Sequence, residues 1–118
     1  NFSKIVNLVA RSQGLPTSVE ETYTLLQKGF TVEKIKQIRR LKESTIQEHL
    51  IIASILSHNF DYHQVLTSED YRILQSIYSD DDLDDWKYQD LELSGHQMPF
   101  YKFRIYQVQR SKLNNDRT

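Results

Sequence analysis

Residues 31 to 51, TVEKIKQIRRLKESTIQEHLI, constrain this chain more than any other stretch. Thr31 can cap a helix, its hydroxyl accepting a bond from an otherwise unsatisfied backbone N–H. Val32, Ile35 and Ile38 follow at helical spacing. Arg39, Arg40, Leu41 and Lys42 interrupt the pattern. A second run then opens at Glu43 and Ser44, with Ile46 and Leu50 four apart on one face. A short helix, a tight turn and a longer helix are the outline of a helix-turn-helix, whose first helix crosses the DNA backbone while the second enters the major groove. Ile35, Leu41, Ile46 and Leu50 stand where such a unit needs apolar contacts. Two positions depart from it. A small residue is expected where the helices approach most closely, and Lys36 stands there; its long stem can snorkel along the pair. Glycine is expected in the turn, and Arg40 stands there, at a cost of roughly 1–2 kcal/mol if the turn is left-handed.

The remaining segments read as helices. In residues 1 to 14, Ile5, Leu8 and Val9 give a short helix or a linker from an upstream region, capped by Ser3 and ended by Gly14 and Pro16. Residues 17 to 29 form a clearer helix. Ser18 and Glu21 have the spacing of a capping box, and Gly29 stands just past the end. Val19, Thr22, Tyr23 and Leu26 share its inner face. The helix from Glu43 runs on through LIIASIL to near His58, apolar almost all round and therefore expected to be buried on several sides. Residues 59 to 66 are a connector or short helix with Phe60 and Leu66 inward. Thr67 caps a further helix with Tyr71, Leu74, Ile77 and Tyr78 inside. The acidic run SDDDLDDW is expected to start a helix that turns Leu83, Trp86 and Leu91 inward, its aspartates favoured by the helix dipole. It fails as a calcium loop, because Asp85 and Leu91 stand where that loop needs Gly and Glu. Residues 100 to 110, FYKFRIYQVQR, fit either a helix or a strand. No second strand is at hand to pair with it, so helix is the reading adopted. The residues from 112 to 118 are polar and expected to be frayed.

The expected fold class is therefore all-α: a three-helix helix-turn-helix core extended by a C-terminal helical subdomain, together spanning residues 15 to 111. A chain of 118 residues is one domain's length and buries roughly 65% of its unfolded surface. With no cysteine, disulfides and thiolate metal sites are excluded, which fits a reducing, cytoplasmic setting. No apolar run reaches the roughly 20 residues of a membrane span, and no leader pattern opens the chain. Its only methionine is Met98, so the chain is expected to be part of something longer.

The net charge of −1 hides an asymmetry. Residues 28 to 42 carry Lys28, Lys34, Lys36, Arg39, Arg40 and Lys42 against Glu33 alone, a net +5. Residues 79 to 92 carry seven carboxylates against Lys87, a net −6. Opposed faces of this kind fit oriented binding, or two ordinary solvated surfaces.

Glu21-Thr22-Tyr23, Lys28-Gly29, Ile35, Arg39 and the run Ser44-Thr45-Ile46-x-x-His49-Leu50 resemble the helix-turn-helix domain at the C-terminus of bacterial RecQ-type DNA helicases. The same domain ends the YpbB-type proteins, which accompany such a helicase as a separate chain. The Thr67-Ser68-Glu69 cap, the Leu83 region and Tyr101-x-x-x-Ile105 extend the resemblance across residues 15 to 111. The Thr-Ile-x-x-His-Leu run is also similar to response-regulator output domains of the LuxR type. Both families usually have Ala and Gly where Lys36 and Arg40 stand. The helicase-associated family implies an accessory role in DNA repair or recombination, with duplex or forked DNA and a RecQ-type helicase as partners, in cis or in trans. The chain lacks a phosphate-binding P-loop, so it is not the motor.

In a DNA-binding module, Lys34, Lys36, Arg39, Arg40 and Lys42 would meet phosphates, while Ser44, Thr45, Gln47 and Glu48 would face the groove. Glu43 and Glu48 repel phosphate, which points to weak or shape-led binding. A protein-docking module would instead use the acidic run and aromatics such as Trp86 and Tyr88, unless those rings are simply core. An enzyme is the weakest class. His49, His58, His63 and His96 have no metal spacing, and no nucleophile motif occurs. His49 reads as a packing residue. No metal, cofactor, membrane or small-molecule substrate is expected.

Overall fold

The computed structural model describes residues 15–79 and 82–116. The expected helix in residues 1 to 14, and Asp80 and Asp81 of the acidic run, lie outside the described residues. All regular structure among the described residues is helical. The chain divides into two compact units, one ending at Gln64 and one beginning at Val65.

The first unit contains α1 (Thr17–Gln27), α2 (Val32–Arg39) and α3 (Glu43–Leu56), each packed on the other two. Val19, Thr22, Tyr23 and Leu26 of α1 are all buried, as their spacing requires. Pro16 precedes α1 and no side chain caps it. The expected Ser18–Glu21 capping box does not form, because α1 begins at Thr17 and Ser18 lies inside it; both side chains bind Arg39 instead, as described below. The end of α1 is built as expected. Gly29, at φ 97°, donates to the Leu26 carbonyl and Phe30 to that of Leu25. These two bonds satisfy the last carbonyls only with a left-handed residue between them, the conformation glycine adopts freely. Thr31 then caps α2 by accepting from Lys34 N–H at 3.1 Å.

In α2 only Ile35 is buried; Val32 is half-buried and Ile38 exposed, so the inner face is one residue wide. On α3 the buried stripe is Ile46, Leu50, Ala53 and Ser54. Ile51 and Ile52 are half-buried, whereas Ile55 is 46% and Leu56 40% exposed. The expectation of burial on several sides is corrected: a three-helix unit covers one stripe of its longest helix, and apolar composition alone does not supply a second partner. Beyond α3, the Tyr23 ring stacks on Phe60 at 4.9 Å. Its hydroxyl accepts from Asp61 N–H at 2.7 Å and donates to the Asn59 carbonyl at 3.3 Å, tying the connector to α1. A single 3₁₀ turn, Tyr62–Gln64, closes the unit.

The second unit holds α4 (Ser68–Ile77), a 3₁₀ turn (Leu83–Asp85), α5 (Gln89–Leu93) and α6 (Phe100–Asp116). Thr67 and Asp70 form a full capping box at α4. The acidic run does not start a long helix: it makes one 3₁₀ turn, breaks at Trp86 and Lys87, and resumes in the five-residue α5. Consecutive aspartates are poor helix formers and compete for their own backbone. Leu91 and Trp86 nevertheless turn inward, as expected. Residues 100 to 110 are helix, and α6 continues to Asp116 through residues expected to be frayed. Its buried face, including Tyr101, Ile105, Tyr106 and Val108, packs aromatic rings against α4 and the 3₁₀ turn. The Tyr78 hydroxyl is pushed up to about 12 by burial and then by Asp90, and it donates to the Lys87 carbonyl.

Candidate nucleic-acid interface

The helix-turn-helix is α2, the turn at Arg40 to Lys42, and α3. Arg40 sits at φ 55° and ψ 45°, and among the described residues it is the sole non-glycine with positive φ. The left-handed turn is therefore real, and an arginine occupies it at a cost of about 1–2 kcal/mol. Arg40 and then Leu41 donate to the Lys36 carbonyl, which satisfies the open end of α2. The strained residue aims a long cationic side chain outward at the corner between the helices.

The five expected phosphate contacts separate into two groups. Lys34, Arg40 and Lys42 are exposed, and none has an ion pair among the described residues. Lys36 is half-buried and lies 3.5 Å from Glu33 and 3.8 Å from Glu43, its charge already answered. Arg39 turns away altogether, its side chain only 15% exposed. One guanidinium nitrogen donates to the Ser18 carbonyl at 2.7 Å and to the Thr22 hydroxyl oxygen at 2.5 Å. The other donates to Glu21 at 2.8 Å and to the Ser18 hydroxyl at 3.3 Å. Four contacts from its two terminal nitrogens and the burial of its side chain tie this guanidinium to α1 rather than to a phosphate.

Of the expected groove residues, Ser44 and Glu48 are exposed, while Thr45 and Gln47 are half-buried. The Gln47 amide donates to Glu43 at 3.2 Å, so Lys36, Glu43 and Gln47 form one chain of contacts across the turn. No side chain caps α3, which leaves its first N–H groups open at the corner where Lys42 and Arg40 stand.

One feature is absent from the expectations. Thr22 is fully buried in α1, and its hydroxyl lies 2.8 Å from His49 Nδ1 in α3. Arginine has only donors, so the Thr22 oxygen accepts from Arg39, and its hydrogen or its second lone pair meets His49 Nδ1 according to the tautomer. Burial, and then the Arg39 charge, hold the His49 pKa below its ordinary value, with Glu48 pulling the other way. The signal for this network was a polar residue, Thr22, inside an otherwise apolar face, since such a residue requires a partner.

The two aromatic candidates of the second unit are not free anchors. Trp86 is 8% exposed, stacked on Tyr106 at 5.7 Å and tilted against Tyr78 at 5.1 Å. Its burial fits the alternative given for it, that of a core ring. Tyr88 is half-buried and donates to the Met98 carbonyl. No three His, Asp or Glu side chains among the described residues are grouped to hold a metal. No helix among them is long and apolar enough to cross a membrane.

The sequence model of a family described as a helix-turn-helix domain matches residues 18–107, most of the chain and both units. Protein YpbB of Bacillus subtilis (strain 168) is 30% identical over 56 residues, which cover 48% of this chain. The match spans only 16% of that relative's length. No solved structure matches.

Proposed function

The chain belongs to this helix-turn-helix domain family, and on that premise we propose that it is an accessory DNA-binding module serving a RecQ-type DNA helicase, in the same chain or beside it, in repair or recombination. It is a binding module, and its work is to hold duplex or forked DNA. The observation that supports this best is the corner at Arg40. Two uncompensated cations, Arg40 and Lys42, flank the uncapped start of α3, and Lys34 is a third exposed cation on α2. Glu43 and Glu48 stand in the same region, so contacts go to the sugar-phosphate backbone and DNA shape rather than to a run of bases. Three phosphate contacts give a slope of log affinity against log salt of about −2.7 on duplex DNA. Titrating duplex and forked DNA at several salt concentrations tests it. A complete lack of binding at low salt ends the proposal. Strong preference for one operator sequence would favour a LuxR-like transcription-regulator output role instead.

A second reading, a protein-docking module, has one specific observation in its favour. Leu93 is 82% and Phe100 50% exposed. The same unit carries a hollow of about 610 Å³ lined by Tyr88, Glu92, His96, Met98 and Pro99. Capture of the helicase by this chain, abolished by Leu93→Ser and unaffected by Arg40→Gln, would favour it.

A further inference from the structure

We infer that Arg39, Thr22 and His49 are positioning residues that form a polar lock across all three helices of the helix-turn-helix, and that this lock releases when His49 takes up a proton. The inference rests on the DNA-binding reading only for its effect on affinity; the lock itself is a property of the free chain. Arg39 is the last residue of α2, and Arg40 follows it directly in the strained turn. Four donor contacts fix the guanidinium to Ser18, Glu21 and Thr22 of α1. Thr22 passes the connection to His49 of α3. One buried hydroxyl thus stands between the helix that ends in the turn and the helix that begins after it. Whatever moves that hydroxyl moves the corner from which Arg40 and Lys42 project.

The lock has a defined protonation state. In the lock, the Thr22 oxygen accepts from Arg39 and its hydrogen goes to His49 Nδ1, the assignment that leaves Nδ1 bare. A proton placed there leaves the Thr22 hydrogen without its acceptor and turns a second donor toward the same oxygen. It also sets an imidazolium near the Arg39 cation. The charged groups bearing on His49 are Arg39 from α2 and Glu48 from its own helix. From α1, Glu21 acts through its pair with Arg39. Because the folded imidazole holds protons less readily than the unfolded one, its contribution to stability is fully present above about pH 6.5 and declines as pH falls below that.

The sign of the effect on DNA separates a lock from a surface histidine. An imidazolium near a polyanion strengthens binding in acid. Release of the lock weakens it. Duplex affinity at constant ionic strength is expected to fall several-fold between pH 7.5 and 5.5 in the natural chain, and to stay level in His49→Gln. Arg39→Gln weakens binding with the salt slope unchanged, whereas loss of a true phosphate contact, as in Lys34→Gln, lowers the slope by about 0.9. Thr22→Ser keeps the affinity and Thr22→Val loses it. Independently of DNA, proton NMR of the free chain follows the His49 ring. Its titration midpoint rises in Arg39→Gln, and if that variant does not fold, Thr22→Ser retains the natural midpoint and the Nε2–H tautomer. A midpoint unmoved in folded Arg39→Gln, an Nδ1–H tautomer, binding that strengthens in acid, or a slope lost at Arg39 each overturn the lock. A chain that binds no DNA but shows the expected ring titration ends the functional reading and leaves the lock standing.

Discussion

Lys36 Nζ and Glu43 Oε1 lie 3.8 Å apart across the turn, joining the middle of α2 to the first residue of α3. The lysine that stands where this motif usually has a small residue sets its charge against a carboxylate. The same contact withdraws it from any phosphate. Both partners are substantially exposed, so the pair is worth little to stability. Its effect is on binding. The double substitution Glu33→Gln/Glu43→Gln, which removes both carboxylate partners of Lys36, is expected to tighten duplex DNA about threefold to tenfold at low salt and to steepen the salt slope by about 0.9, as Lys36 becomes free to meet a phosphate. A fluorescence anisotropy series over several salt concentrations measures both. An unchanged slope would show that Lys36 lies out of reach.

Arg40 sets stability against binding at one position. Arg40→Gly removes the left-handed penalty but gives the unfolded chain more freedom, so the net gain is about 0.5–1 kcal/mol of unfolding free energy. The same change deletes a phosphate contact and lowers the salt slope by about 0.9. Urea denaturation and DNA titration on one preparation are expected to move in opposite directions. A variant that loses stability would mean the turn needs the arginine side chain.

Trp86 is held between Tyr78 and Tyr106, so its removal is a packing lesion. Trp86→Ala is expected to cost about 3–5 kcal/mol, and Trp86→Phe much less. Chemical denaturation reads this directly. A stable Trp86→Ala chain with impaired partner capture would reverse the assignment.

Asp70 serves two ends of the second unit. Its carboxylate accepts from Thr67 N–H at 3.0 Å in the capping box and from Lys102 Nζ of α6 at 2.7 Å. Burial raises its pKa, but the bonds from Lys102 and Thr67 outweigh this and leave it below the ordinary 3.8. Its contribution is therefore full above about pH 3.8 and is lost as pH falls through the lower folded value. Asp70→Asn is expected to cost about 1–3 kcal/mol at neutral pH and to flatten the acid limb of the stability curve. Thermal melts between pH 2.5 and 7 test the sign; an acid limb identical to that of the natural chain would rule Asp70 out as its source.

What the sequence determined by itself was local. Thr31 and Thr67 cap helices because a hydroxyl reaches N–H groups only three residues away. Gly29 ends α1 because a left-handed residue follows the last turn. Ile35, Ile46 and Leu50 are buried because helical spacing puts them on the inner faces. These rules need no knowledge of distant residues, and together they carry the helix-turn-helix and the all-helical fold.

The tertiary structure alone decided where long side chains go. By sequence, Arg39 and Lys34 are equivalent cations on one short helix; acceptors at Ser18, Glu21 and Thr22, about twenty residues earlier, claim the first and leave the second in water. Trp86 was legible as inward from its spacing, but that Tyr78 and Tyr106 are the rings it meets was set by packing. A helix fixes the direction of a Cα–Cβ bond, but a side chain with several rotatable bonds ends where its partners are, and those partners are set by how helices distant in sequence pack.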